Sequence, residues 1–245
     1  MKVGPERYVS KRSSMISMKR LSLLCLFTVP FSLLWADDAA DILSQSGVKG
    51  GIVVHVGCGD GTVTQKLRAN AAYQVQGLTK DAAGVLAIRE SLHKAGVSGA
   101  VAVESWNTKH LPYIENYVNL LVVEDTASVA KEEIDRVLTP LGVAMVRKAG
   151  GWDKIVKAWP KGMDEWTHYA YDSKGNPTSK DMLVGPPTRM QWVGNPRWSR
   201  HHDRMSSVSA QVSAGGRVYY IMDEGSRISI LMPAKFALIA RDAFN

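Results

Sequence analysis

Hydrophobic positions change their period along this chain, and the change marks out its elements. Between residues 48 and 148, short apolar runs alternate with segments of helical spacing. The runs at 52–56, 73–78, 100–104, 117–123 and 142–147 predict strands. The segments at 61–70, 81–95 and 130–138 predict helices. In the second helix Val85, Ile88 and Leu92 recur three and four residues apart, and Gly96 follows as a stop. In the third, Ile134, Val137 and Leu138 form the apolar face, and Pro140 ends it. The run YVNLLVV (117–123) is almost continuously apolar, as a strand covered on both faces should be. Strands alternating with helices predict a parallel sheet with helices on its faces, and this sheet is expected to stop after the fifth strand.

The pattern breaks near residue 150, where Gly150-Gly151 reads as a joint. Five of the seven tryptophans then fall at 152, 159, 166, 192 and 198, among dense prolines and glycines. That composition suits an irregular packed segment over 151–205, with the tryptophans as packing anchors. From Ser206 onward the runs SVSAQVSA, GGRVYYIMDEG, ISILMP and FALIARDAFN predict short antiparallel strands, leaning on the tryptophan-rich stretch. The expected plan is an α/β domain over 37–150, a connecting segment over 151–205 and a β region over 206–245. No complete internal repeat is present.

Charge changes this picture only at the start of the chain. The net charge is +7, but Lys2, Arg7, Lys11, Arg12, Lys19 and Arg20 against Glu6 place +5 of it in the first twenty residues. The remainder is nearly balanced, so the basic pI says little about nucleic acid, and no nucleic-acid partner is expected. Lys19 and Arg20 precede the apolar stretch LSLLCLFTVPFSLL, and Ala36 precedes two aspartates. This is the order of a secretory signal over 1–36, too short to span a membrane. It predicts export to the periplasm or cell envelope, with membrane contact only through that segment. The two cysteines, Cys25 and Cys58, fall on either side of the expected cut, so the mature chain forms no internal disulfide.

The richest chemistry lies in IVVHVGCGDG (52–61). Gly57, Cys58, Gly59, Asp60 and Gly61 follow a strand and open a helix. Glycines there let the backbone turn sharply and let a ligand lie against bare main chain, while a helix start presents free N–H groups. The G-x-G-x-G spacing is one residue shorter than the dinucleotide fingerprint. It resembles motif I of the class I S-adenosylmethionine (SAM) dependent methyltransferases. NTKHLPYIENYVNLLVVED (107–125) resembles that family's passage through its fourth strand. KEEIDRVLTPLGVAMV (131–146) resembles its next helix-to-strand passage. The resemblance implies a Rossmann-like, doubly wound, mostly parallel sheet. It also implies SAM binding through Gly57, Cys58, Gly59, Asp60, Gly61, Thr79, Asn107 and Glu124. MDEWTHYAYDSKGN, VGPPTRMQWVGNPRWSRHHDRM and GGRVYYIMDEG further resemble exported proteins that join such a domain to a PQQ-binding-like (quinoprotein) β-propeller. Residues 206–245 would be part of one blade of a truncated propeller, too little to hold PQQ.

Departures from the methyltransferase pattern weaken the cofactor site. His55 stands two places before the first glycine, where the family has an acid. Thr79 stands at the end of the second strand, where the family's acid binds the ribose hydroxyls. Asn107 replaces an acid near the adenine, and Leu141 replaces a glycine. A hydrogen bond to a charged group contributes about 1.5–3 kcal/mol, so SAM binding is expected to be weak. Glu124-Asp125 occupies the position of a catalytic acid, though a solvated loop is the expected role. Three functions follow: a scaffold or binding module descended from a methyltransferase, an active methyltransferase on an unknown small molecule, or a fragment of a redox or polymer-binding propeller protein. His201, His202 and Asp203 are expected to form a structural polar cluster, with no metal, because adjacent residues face different ways.

Overall fold

The computed structural model describes residues 38–125, 128–185, 208–226, 228 and 231–245. Strand β1 (Gly51–Val56) lies inside a six-stranded sheet, between β2 (Tyr73–Thr79) and β4 (Val118–Val123). β3 (Val101–Ser105) lies beyond β2. β5 (Leu138–Lys148) and β6 (Gly151–Val156) lie beyond β4, so the order is β3-β2-β1-β4-β5-β6. The first five strands are parallel and β6 is antiparallel. The strand order reverses direction between β1 and β4. In such sheets a crevice opens at that switch point, outside the carboxyl ends of the strands.

Alternating side chains divide the core between the two faces of the sheet. Val53, Val75, Leu120, Val122 and Met145 pack with α1 (Asp38–Ser46), α2 (Thr62–Leu67) and α3 (Val85–Lys94) through Ile42, Leu67 and Leu92. Val54, Val56, Leu121, Val123 and Ala144 pack on the other face with α4 (Lys131–Val137) and the 106–117 loop, through Ile134, Val137, Trp106 and Leu111. Each fully buried Val or Leu contributes about 1.5–3 kcal/mol. The continuously apolar run at 117–123 is therefore a strand covered on both sides.

The helices are shorter than the sequence pattern predicts, because side chains occupy their ends. Asp81 Oδ1 accepts from Ala83 N and Gly84 N, so residues 81–84 form a turn and α3 begins at Val85. Asn70 Oδ1 accepts from Ala72 N and closes the turn after α2. α4 passes directly into β5 at Leu138, so Pro140 lies in the strand.

Two elements are unexpected. α1 forms over DAADILSQS and buries Ala39, Ile42 and Ser46 against the sheet. β6 extends the sheet past the expected joint, because Gly150, at φ 88, turns a hairpin between β5 and β6.

A second sheet, β7 (Val208–Ala214), β8 (Arg217–Asp223) and β9 (Phe236–Asp242), is antiparallel in the order β7-β8-β9. The strand expected at ISILMP is replaced by a loop among its described residues, and β8 pairs directly with β9. Buried Asp223 holds that loop, its Oδ1 accepting from Gly225 N and Lys235 N. The sheet leans on the tryptophan segment as expected. Trp166 N donates to Ser213 Oγ, Ser213 N donates to Trp166 O, and Trp159 meets Phe244 edge-on. It also reaches the larger sheet. Asn119 Nδ2 donates to Asp242 Oδ2, and Asn245 Nδ2 donates to Tyr117 O. Trp192, Trp198 and the His201-His202-Asp203 group lie outside the described residues, as does the leader.

Candidate functional site

The residues singled out from the sequence gather at the carboxyl ends of β1, β2, β3 and β4. After Val56 the chain enters the glycine loop, and Gly57 N and Cys58 N both donate to Leu78 O at the end of β2. Gly57, Gly59 and Gly61 have φ of 85, 51 and 82, a region that L side chains adopt with strain. Their surroundings differ. A Cβ on Gly57 would lie 3.0 Å from Glu124 Cβ, and one on Gly61 would lie 2.5 Å from Ile88 Cγ2. A Cβ on Gly59 would meet open space. Gly61 therefore brings the loop against α3, whereas Gly59 answers only a backbone need. Gly61→Ala is expected to cost about 2 kcal/mol, from strain plus overpacking. Gly59→Ala should cost about 1 kcal/mol from strain alone. Thermal midpoints of the two variants test this ordering, and equal losses would contradict it.

Cys58 is buried against Gly77 and Thr64, and burial pushes its thiol up. It is an unreactive packing group. Asp60 Oδ1 accepts from Thr62 N at 2.9 Å, which holds its carboxyl below the usual range. The N–H expected to face a ligand there is already taken.

Beneath the loop runs a chain of ionisable groups. His55 is 1% exposed. Its Nδ1 lies 2.8 Å from Thr64 Oγ1, and its Nε2 lies 3.3 Å from Glu124 Oε1. Arg147 Nε donates to Glu124 Oε2 at 2.9 Å, and an Arg147 terminal nitrogen donates to Asp38 Oδ2 at 3.1 Å. The guanidinium lies 3.9 Å from the ring centroid of Trp152. Burial alone would raise the Glu124 carboxyl, but bonds from His55 and Arg147 outweigh it and hold the group below its usual range. The imidazole bridges the Thr64 hydroxyl at Nδ1 and the Glu124 carboxyl at Nε2. His55 thus fills the place of the expected acid, and the carboxylate has moved across to β4.

Thr79 closes β2, buried, with its Oγ1 accepting from Asp81 N at 3.1 Å. Its carbonyl accepts from Trp106 N, which places Asn107 beside it in the exposed loop after β3. Asp81 is engaged in its own turn. Lys80 and Asp125, both exposed, approach to 3.9 Å across the end of β1. The structure thus brings Gly57, Thr79, Asn107 and Glu124 to one edge. It supplies no free carboxylate from Thr79 or Asn107, and it ties Glu124 to two partners.

Sequence reasoning missed the group that shapes the loop beside this edge. Glu133 is 6% exposed, and its Oε1 accepts from Leu111 N at 2.6 Å. Arg136 donates to both of its oxygens, at 2.8 and 2.6 Å. Arg136 also donates to the carbonyls of Tyr113 and Leu111. These bonds, Arg136 foremost, hold the Glu133 carboxyl down at about 2. The i, i+3 Glu-Arg spacing was a visible signal, but nothing in the sequence showed that the pair would face inward.

Among the described residues, cavities of about 410, 520 and 760 Å3 lie away from the glycine loop. No family model matches the chain, and no curated protein matches it. Solved structures do. A candidate SAM-dependent methyltransferase from Methanococcus maripaludis is 17% identical, covering 45% of this chain and 53% of its own, with a TM-score of 0.41. Geranyl diphosphate C-methyltransferase from Streptomyces coelicolor is 21% identical, covering 44% and 43%, also at 0.41. A candidate sarcosine dimethylglycine methyltransferase from Galdieria sulphuraria is 20% identical, covering 45% of each chain, at 0.40. The chain spans about half the length of each of these structures.

Proposed function

We propose that the six-stranded domain is a binding module built on a methyltransferase-type scaffold, with weak affinity for SAM and little or no transfer activity. The observation that carries this reading is the state of Glu124. Its carboxylate stands at the switch point, but His55 and Arg147 already engage it. Thr79 offers the ribose position one buried hydroxyl in place of a carboxylate. The glycine loop keeps the backbone shape of the resemblance without its acidic contacts. A small polar ligand resting on bare backbone suits what remains.

Titration calorimetry of the full chain with SAM tests the proposal. The dissociation constant should lie above about 100 μM. Thr79→Asp should tighten binding by about tenfold, the value of one charge-assisted bond. Low-micromolar binding by the unaltered chain would favour an active methyltransferase instead.

Two further parts of the proposal rest on the sequence. The leader marks the protein for export, and N-terminal sequencing of envelope material should begin at or near Asp37. Full-length chain in the cytosol would refute export. The β7-β8-β9 sheet supports a reading of residues 206–245 as part of a propeller-like blade attached to the module.

A further inference from the structure

At the opposite edge of the larger sheet, a groove of about 760 Å3 lies between the two sheets. One wall is the 46–51 connector with the starts of β1, β4 and β5. The other is the 215–217 turn with the end of β9 and Phe244. Its size falls within the range of small-molecule sites, about 300–1,000 Å3. Nothing in the reading of the glycine loop uses it.

The charge in this groove is one-sided. Lys49, Lys154 and Arg217 line it, against a single acid, Asp242. That acid is already engaged by Asn119 Nδ2 and Phe244 N. Lys154 Nζ donates to Gln45 O. Among the described residues, no carboxylate lies within 4 Å of Lys49 or Arg217. Three cations against one acid, which stands across the strand from Arg217, leave this concave wall with a net positive charge that favours an anion.

The groove also holds apolar surface out to solvent. Val156 and Leu141, both on its wall, are each 51% exposed. Leu141 has φ 65, the left-handed region, in a strand position where the resemblance expects glycine. A non-glycine residue is strained there. Two backbone bonds fix it, Leu141 N to Lys157 O and Lys157 N to Gly142 O. Strain held by a surrounding frame points to use of the side chain it displays. Here it sets a leucine between this groove and the neighbouring cavity of about 520 Å3.

We infer that this groove binds a small organic anion with a flat or aliphatic apolar body, its acidic group meeting Lys49 and Arg217 and its body lying on Leu141 and Val156. The anion and the apolar wall act together. A purely ionic ligand would gain little at exposed cations, and a neutral one would leave them without a partner.

Titration of the full chain with 2-naphthoate, and separately with the uncharged 2-naphthalenemethanol, tests the inference. The acid should bind at one site with a dissociation constant of about 1 mM or tighter. The alcohol should bind at least tenfold more weakly. The Lys49→Ala/Arg217→Ala double variant should weaken the acid by about tenfold, whereas Lys94→Ala on α3 should leave it unchanged. Leu141→Gly should also weaken it, while its thermal midpoint holds or rises as strain is released, so lost binding cannot be laid to unfolding. S-adenosylhomocysteine should not compete, which separates this site from the glycine loop. The inference is overturned by absence of saturable binding, equal binding of acid and alcohol, indifference to the double variant, or displacement by S-adenosylhomocysteine. Displacement of the acid by micromolar oligonucleotide would assign the cations to a polyanion and overturn it too.

Discussion

Arg136→Met is expected to lower the unfolding free energy by about 3 kcal/mol, because it strands a buried carboxylate. In a domain of this size that corresponds to roughly 6–12 °C in the thermal midpoint. Arg136 forks onto both oxygens of Glu133 and also donates to the carbonyls of Leu111 and Tyr113. One guanidinium therefore closes α4 onto the loop that follows β3. Without it, Glu133 keeps Leu111 N and the exposed imidazole of His110. The loop carries Trp106 and Leu111, two members of the core on that face, so the loss should spread into packing.

The same clamp has a pH signature. Glu133 in the fold titrates at about 2, below its ordinary value of 4.5. A depressed carboxyl stabilises the fold above its unfolded pKa and loses that stabilisation as pH falls through the folded value. The contribution should be complete above about pH 5 and fade between pH 4.5 and 2. Glu133→Gln removes the titrating group, so the difference in thermal midpoint between the variant and the unaltered chain should shrink across that window. A constant difference from pH 7 to pH 2 would show that the pair does not act as an ionised clamp.

How far the sequence foretells this molecule depends on the range of each interaction. The five parallel strands were legible because each is specified by its own run of apolar residues, as in LLVV after Asn119. The glycine loop was legible because positive φ at three alternate positions selects glycine directly. α1 was not legible. Its nine residues bury Ala39, Ile42 and Ser46, and only the sheet beneath them makes that weak stripe a helix. β6 was hidden for the same reason, since GWDKIV is half polar and gains its register from β5. At the site, the residue types were visible but not their engagement. Glu124 reads as an available acid until His55 and Arg147, drawn from strands on either side, are seen to hold it.

Arg147 gives the sharpest test of that engagement. Arg147→Met should cost about 2 kcal/mol, less than a fully buried pair because Arg147 and Asp38 are part-exposed, and release α1. The guanidinium is the shared partner of Glu124 and Asp38, and it stacks on Trp152. A methionine keeps much of the packing and removes every ionic bond. Glu124 would then face His55 alone, partly buried, and its carboxyl should rise toward its ordinary value, since burial pushes it that way. Stability owed to the depressed carboxyl is present above the ordinary carboxylate range and is lost as pH falls below it. The variant should therefore lose less on acidification than the unaltered chain. Hydrogen exchange separates local from global effects. In Arg147→Met the amides of Asp38–Ser46 should lose protection before those of β1 and β4. Asp38→Asn should reproduce the loss at α1 while leaving the pH profile of Glu124 nearly intact. If α1 keeps its protection in both variants, the burial of Ala39 and Ile42 alone holds the helix, and Arg147 serves only Glu124.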